Sequence, residues 1–126
     1  MTTQSPELEE LLARLPNIEL FSIFMKPTDQ FQSPLSEAGR PLLVAHLTYL
    51  FELQDQQLLL GSGPLDLDVD RIEGMCIVRA DSREHAESLA AEEPYAKAGW
   101  RVNTVRSWQL NEGLFVATAQ QLITER

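Results

Sequence analysis

Hydrophobic residues recur along the chain at two spacings, and these spacings predict a short series of strands and helices. Strands are predicted where branched and aromatic residues are dense or alternate with polar ones, at residues 20–26, 58–65, 74–80 and 102–110. Apolar residues three and four positions apart, from Leu43 to Leu53, predict a helix that begins at about Pro41. A second helix is predicted over residues 82–92, because residues 81–84 are of the types that cap a helix start.

These elements follow one another as strand, helix, strand, strand, helix, strand. That order is typical of the ferredoxin-like βαββαβ sandwich, an α+β fold in which helices cover one face of a sheet. Both faces of the first strand are partly apolar, with Phe21 and Ile23 on one and Leu20 and Phe24 on the other. Because the helices can cover only one face, a second copy of the chain is the simplest cover for the other, and we expect a homodimer.

The two ends of the chain lie outside this series. Ser5 and Pro6 are typical of a helix N-cap and a first helical position, and they predict a short N-terminal helix that Pro16 ends. Apolar residues near the C-terminus suggest a short strand or a helix. We therefore divide the chain into an N-terminal helical extension at residues 1–19, an α+β domain at 20–113 and a C-terminal tail element at 114–126.

A corner between the second helix and the last strand, at residues 92–100, combines acidic, aromatic and basic groups. Pro94 disfavours helix in the residue before it, so the helix should end at about Glu93, and Gly99 permits the turn into the strand. A carboxylate at such a helix end can orient a histidine or take a proton, and His46, on the core-facing side of the first helix, is the candidate partner. The alternative is structural: a solvated helix end and a histidine that only packs in the core.

Charge and composition exclude several classes of protein. The 126 residues carry a net charge of −9, which repels a phosphate backbone, so nucleic acid is not an expected partner. No apolar run approaches the ~20 residues of a membrane span, so no membrane association is expected, and no signal peptide is visible. The single Cys76 excludes a disulfide within the chain and fits a reducing compartment, so a cytoplasmic location is expected.

No cofactor or metal is expected from the motifs. The sequence has neither a glycine-rich dinucleotide motif nor a phosphate-binding loop, and two histidines with one cysteine are too few for a typical metal cluster. Asp66, Asp68 and Asp70 alternate with apolar residues, but the glycine and the distal glutamate of a calcium loop are missing.

An ordered set of short motifs, spread over residues 20–113, resembles the YciI-like (YCII-related) domain family. The motifs are His46-Leu47 with Tyr49, Leu50 and Leu53, then Leu58-Leu59, Ser62-Gly63-Pro64-Leu65, Gly74-Met75, Ile77-Val78, Glu84 with Ala86, Glu93-Pro94-Tyr95 and Lys97-Ala98-Gly99. The resemblance implies a cytoplasmic, dimeric α+β barrel with a histidine–aspartate pair in a cleft. It also implies kinship with an enzyme that removes chloride from a chlorinated trihydroxybenzene.

The pair that the resemblance implies falls on His46 and on Glu93, which is one methylene longer than the family's aspartate. A second departure is Gln56-Gln57, where family members usually have a glycine in the turn from helix to strand. With this correspondence, His46 is expected to act as general acid or base and Glu93 to fix its tautomer. The expected chemistry is proton transfer or elimination, as in a lyase or an isomerase, on a small oxygenated substrate that is aromatic in the chlorinated example.

Four further residues are candidates to bind the substrate. Ser62 and Tyr95 have hydroxyl groups for substrate oxygens, and Arg79 or Arg106 would hold an anionic group if either points inward. The alternative hypothesis is a small-molecule binding or accessory module without turnover, in which the same cavity holds a ligand and His46 is structural, because one fold serves both kinds of protein.

Overall fold

The computed structural model describes residues 5–66 and 72–125 of the chain. In chain order its elements are α1 (Pro6–Ala13), β1 (Ile18–Pro27), α2 (Gly39–Asp55), β2 (Leu59–Leu65), β3 (Glu73–Val78), α3 (Arg83–Glu92), α4 (Pro94–Lys97), β4 (Arg101–Leu110) and α5 (Phe115–Thr124). Asp68 and Asp70 of the acidic connection lie outside the described residues.

The four strands form one antiparallel sheet in the order β2-β3-β1-β4. In the central pair, Phe21 lies opposite Val78 and Met25 lies opposite Gly74. At the edge, Leu65 of β2 pairs with Glu73 of β3 after a register irregularity near the start of β2. Together with its helices this sheet confirms the predicted α+β, ferredoxin-like fold.

The chain divides into two compact units, Leu20–Trp108 and a unit formed by the two terminal segments. In the terminal unit, the Ser5 hydroxyl accepts a hydrogen bond from the Leu8 N–H at 3.1 Å, and Pro6 occupies the start of α1 as predicted. The tail, for which a strand and a helix were both open, forms the helix α5. The domain boundaries drawn from the sequence stay a prediction.

The core of the central unit lies between one face of the sheet and the helices. Alternate β1 residues Phe21, Ile23 and Met25 belong to a buried cluster that includes Ala86 and Ala90 of α3. Small alanine side chains let α3 approach the sheet closely.

One hydrogen bond joins α2 to α3, and one residue in a left-handed conformation forms the turn after α2. The Tyr49 hydroxyl of α2 donates to the Leu89 carbonyl of α3 at 2.7 Å, which joins the two helices side by side. At the turn from α2 to β2, Gln57 has a φ of 62°, a left-handed conformation that glycine adopts most easily. Gln57 therefore adopts a conformation that would suit the glycine implied by the family resemblance in this turn.

The opposite face of β4 is exposed and carries the apolar Val102 and Trp108 together with the polar Thr104 and Arg106. Arg101 and Asn103 point to the helix side, so residues one position away from them point to the other side. On that side Val102 is 60% exposed and Trp108 is 37% exposed. This face is therefore only partly covered within the chain.

Gly99 provides a test of the corner before β4. Its φ is +80°, and a Cβ there would lie 3.3 Å from the Gln30 side-chain oxygen. Gly99→Ala should therefore lower the free energy of unfolding by about 1–2 kcal/mol, measured by urea denaturation. Gly61→Ala is the control, because a Cβ at Gly61 meets nothing within 4 Å. Equal effects of the two substitutions would contradict this account.

Candidate active site

Glu93 lies at the corner where α3 ends and α4 begins. Pro94 cannot continue α3, and Glu93 takes an extended conformation with φ −63° and ψ 131°. Its side chain then turns back to cap α4, where Oε2 accepts a hydrogen bond from the Tyr95 N–H at 2.6 Å. The corner therefore holds a carboxylate that is only 3% exposed.

His46 reaches this carboxylate from α2. It lies on the buried side of that helix, with Leu50 and Leu53, and is 8% exposed. Its Nδ1 lies 2.9 Å from Oε2 of Glu93, although 47 positions separate the two residues. The imidazole also packs on the Tyr95 ring, with a distance of 4.8 Å between the ring centroids.

Asn103 of β4 is a third member of this group, and the sequence analysis missed it. Its side-chain amide donates to the Ala90 carbonyl at 2.9 Å and to Oε1 of Glu93 at 3.1 Å. The available signal was the alternation of β4, which places a polar residue on the face that packs against α3. Asn103 therefore occupies the second carboxylate oxygen, and the carboxylate has donors on both sides.

These contacts determine the charge state of Glu93. Burial by itself would raise the pKa of this carboxyl, but hydrogen bonds from His46, Asn103 and the Tyr95 backbone outweigh it and hold the pKa below the usual range. Glu93 is therefore a carboxylate at neutral pH and can only accept hydrogen bonds. It follows that Nδ1 of His46 carries the proton, and that in the neutral imidazole Nε2 has a free lone pair.

A cavity of about 390 Å³ opens beside this histidine, in the size range of small-molecule sites. Apolar residues predominate in its wall, which includes Met25, Pro34, Leu43, Leu47, Leu50, Phe51, Leu59 and Leu60, together with His46, Ser62, Tyr95 and Arg101. Among the described residues, none hydrogen-bonds Nε2 of His46. The atom that would exchange a proton is therefore not occupied by a protein group of the described part.

Two of the four predicted substrate-binding residues line this cavity, and two do not. Ser62 lies on β2 at its wall, and Tyr95 is fully buried there. Arg79 is buried elsewhere, because its Nε donates to the Gln57 carbonyl at 3.1 Å. Arg106 is exposed on β4 and is also absent from the wall.

Among the described residues, the arginine in the cavity wall is Arg101, which was not a candidate from the sequence. The predicted strand began at 102, so Arg101 fell in the preceding turn, whereas β4 begins at Arg101 itself. Extending the alternation back from Asn103 by two positions would have placed Arg101 on the inward face.

Cysteine and metal chemistry find no support in the described residues. Burial raises the pKa of the Cys76 thiol to about 12, so it is protonated at neutral pH and is not a nucleophile. No group of three or more potential metal ligands is present in residues 5–66 and 72–125. In the same part of the chain, no helix combines the length and the apolar character needed to cross a membrane.

Fold and site together define a small α+β domain with a histidine–carboxylate pair at an apolar cavity. The profile of the YCII-related domain family matches residues 20–109, and the chain belongs to this family. A similar solved structure is 5-chloro-2-hydroxyhydroquinone dehydrochlorinase from Burkholderia phenoliruptrix, in complex with 2,5-dihydroxybenzoquinone. It is 26% identical with a TM-score of 0.55, over 71% of this chain and 92% of the other. No curated protein matches the chain.

The lowered pKa of Glu93 predicts a pH-dependent contribution to stability. At pH 7, Glu93→Gln should lower the free energy of unfolding by about 1–3 kcal/mol, because the amide has one acceptor oxygen and its nitrogen would oppose a donor. The contribution of Glu93 is complete above the ordinary glutamate pKa of about 4.3 and is lost as the pH falls through its lower folded-state pKa. Urea denaturation of both proteins over a pH series measures the difference.

Glu92→Gln is the matched control, because Glu92 is the adjacent glutamate and its side chain is 59% exposed. We expect it to change the free energy of unfolding by less than about 0.5 kcal/mol. A Glu93→Gln effect that stays constant from neutral to acid pH would contradict the assignment of a buried, ionised carboxylate.

Proposed function

We propose that this protein is an enzyme that catalyses proton transfer or elimination on a small oxygenated ring compound. The observation that carries the proposal is the 2.9 Å contact between Nδ1 of His46 and Oε2 of Glu93 at the wall of a cavity. In this proposal Nε2 of His46 is the general base or acid, and Glu93 is the positioning residue that fixes its tautomer.

The arrangement suits a base that must be ready before the substrate arrives. Glu93 accepts the Nδ1 proton, so the lone pair of the neutral imidazole lies on Nε2. In an elimination, Nε2 takes a proton from the substrate, the electron pair of that bond forms a new double bond, and the leaving group departs as an anion. The Glu93 carboxylate stabilises the resulting imidazolium, which returns the proton to solvent or to the product.

The similar solved structure supports this class of reaction. That protein is a dehydrochlorinase, and its ligand, 2,5-dihydroxybenzoquinone, is a small ring compound with several oxygens. At 26% identity the likeness extends to the class of reaction in this proposal and not to a particular substrate. We propose Ser62 and Tyr95 as the residues that hydrogen-bond ligand oxygens, since both line the cavity.

One observation favours a second candidate, a binding module without turnover. Glu93 also caps α4 and accepts a hydrogen bond from Asn103. These contacts would give Glu93 a structural role even without catalysis. In that case His46 would complete the hydrogen bonding of a buried carboxylate, and the cavity would only hold a ligand.

Turnover separates the two candidates. The wild-type protein is incubated with 5-chloro-2-hydroxyhydroquinone and with other halogenated or hydroxylated ring compounds, and release of the halide is measured. His46→Asn keeps an N–H donor near Glu93 but removes Nε2, so it should lower kcat by roughly 10²- to 10⁴-fold. Binding of 2,5-dihydroxybenzoquinone should change little in this variant. Tight binding without turnover in the wild type would favour the binding module.

We also propose that the protein is a homodimer through the sheet face that carries Val102 and Trp108. Both side chains are exposed within one chain, at 60% and 37%, and a second copy would shield them. This is the arrangement that the dimeric barrel of the family implies.

A pair of valines tests the dimer. Val102→Glu would place a charge in the proposed interface and should weaken dimerisation by roughly tenfold or more, as seen by light scattering. Val44→Glu on α2 is the control, because Val44 is similarly exposed, at 65%, but lies on a helix. A monomeric wild type, or the same loss in both variants, would exclude this interface.

A further inference from the structure

Arg101 is a buried cation in the wall of the cavity. It is 6% exposed, yet no carboxylate of the described residues forms an ion pair with it. Its Nη2 donates to the Ile72 carbonyl at 2.9 Å, and Nη1 makes a weak contact of 3.9 Å with the Met25 sulfur. A buried charge is costly unless an opposite charge is nearby, so this arginine could pair with a negatively charged ligand.

Two aromatic rings hold the guanidinium in place. Its central carbon lies 4.6 Å from the centroid of the Tyr95 ring and 5.4 Å from that of Phe31. These contacts stabilise the cation through the ring faces and leave its N–H donors in the plane of the group. Arg101 is therefore oriented in advance, in the same wall as His46.

The hydrogen bonding of this part of the wall is incomplete. Arginine has five N–H donors, and among the described residues acceptors lie near Nη1 and Nη2. Arg101 Nε and the Tyr95 hydroxyl are both buried and have no hydrogen-bond partner among the described residues. Buried polar groups are nearly always hydrogen-bonded in the functional state, so donors of this kind at a cavity point to an acceptor supplied by a ligand.

The negative charge of Glu93 does not meet this demand. Oε2 already accepts from His46 and from the Tyr95 N–H, and Oε1 accepts from Asn103. Burial lowers the pKa of Arg101, but Glu93 opposes that shift, and a guanidinium keeps its proton at neutral pH. Among the described residues, both Glu93 oxygens are thus taken by other donors, and neither accepts a hydrogen bond from Arg101.

We infer that the ligand of this cavity carries a negatively charged oxygen, a carboxylate or the oxygen of an acidic phenol or enol, and that Arg101 binds it. The inference rests on the proposed small-molecule site but not on turnover there. Because the whole chain has a net charge of −9, long-range attraction would not bring an anion to it, and the preference must come from this local cation. The apolar wall strengthens the contact by excluding water.

Pairs of probes that differ in charge and little in shape test the inference on the wild-type protein. For the carboxylate, calorimetry compares 4-hydroxybenzoate with its neutral amide, 4-hydroxybenzamide. For the acidic enol, it compares 2,5-dihydroxybenzoquinone with its neutral dimethyl ether. We expect at least one anion to bind roughly tenfold or more tightly than its neutral counterpart, since hydrogen bonds to charged groups are the stronger ones. The Nε–H signal of Arg101 in a proton–nitrogen NMR spectrum should shift when that anion binds.

Three variants test whether Arg101 causes the preference for the anion over the neutral probe. Arg101→Gln should abolish the ratio between anion and neutral probe, and Arg101→Lys should keep part of it because the charge remains. Arg83→Gln is the control: it removes one positive charge at an exposed position of α3 and should leave the ratio unchanged. If Arg101→Gln does not fold, the wild-type affinities for the two kinds of probe and the Nε–H shift of Arg101 still test the inference.

The outcomes separate this inference from the proposed function. His46→Asn should lose turnover and keep the anion preference, whereas Arg101→Gln should lose the preference. Equal affinity for charged and neutral probes, no binding of either anion at millimolar concentration, or an unchanged ratio in folded Arg101→Gln would overturn the inference. Anion preference in a protein that turns over no substrate would leave the inference standing and remove the proposed enzyme activity.

Discussion

The buried carboxylate of Glu93 is the constraint on which the centre of this structure depends. A carboxylate that is 3% exposed must find donors within the protein, because an uncompensated buried charge costs about 3–5 kcal/mol. Here the donors come from three elements: His46 of α2, the Tyr95 N–H of α4 and Asn103 of β4. Moving any one of these elements would remove one of the donors that compensate the charge. The corner thus fixes the distance between a helix of one βα unit and a strand of the other.

The same contacts that stabilise the fold prepare the chemistry that we propose. A carboxylate already held by Asn103 and by a helix cap cannot turn away from the histidine, so the imidazole is oriented before a ligand enters. The apolar wall of the cavity strengthens this interaction, since fewer water molecules compete for it. Arg101 is also oriented in advance: it contacts the rings of Tyr95 and Phe31, and no carboxylate of the described residues pairs with it.

Local signals in the sequence were sufficient for the order of elements and for the corner. Pro94 and Gly99 restrict the backbone directly, so the end of α3 and the start of β4 could be predicted within a residue or two. The contact between His46 and Glu93 was harder to predict, because residues 47 positions apart share no local pattern. The corner and the helix pattern offered His46 as a candidate partner, and the family resemblance implied the pair. Sequence reasoning did not anticipate α4, in which four residues form a single turn.

The arginines show where a sequence pattern alone fails. Arg79 and Arg101 are buried to a similar degree. Arg79 donates a hydrogen bond to the Gln57 carbonyl, whereas Arg101 lines the cavity. The difference depends on which way each strand end turns in three dimensions, and a one-residue error in the start of β4 removed Arg101 from consideration. A strand boundary is the least determined feature of a hydrophobic pattern, because the period of two continues into any extended residue beside it.

The length of the Glu93 side chain explains how one residue can serve both the cap and the pair. An aspartate, which the family resemblance implies at this position, would hold its carboxylate about 1.5 Å nearer to its own backbone. That geometry suits a helix cap, but it would draw the oxygen away from α2 unless the helix moved with it. In this chain the extra methylene lets Oε2 reach the Tyr95 N–H at 2.6 Å and His46 Nδ1 at 2.9 Å together. The cap restrains the longer side chain, so the flexibility that a glutamate adds is removed by the same oxygen that orients the histidine.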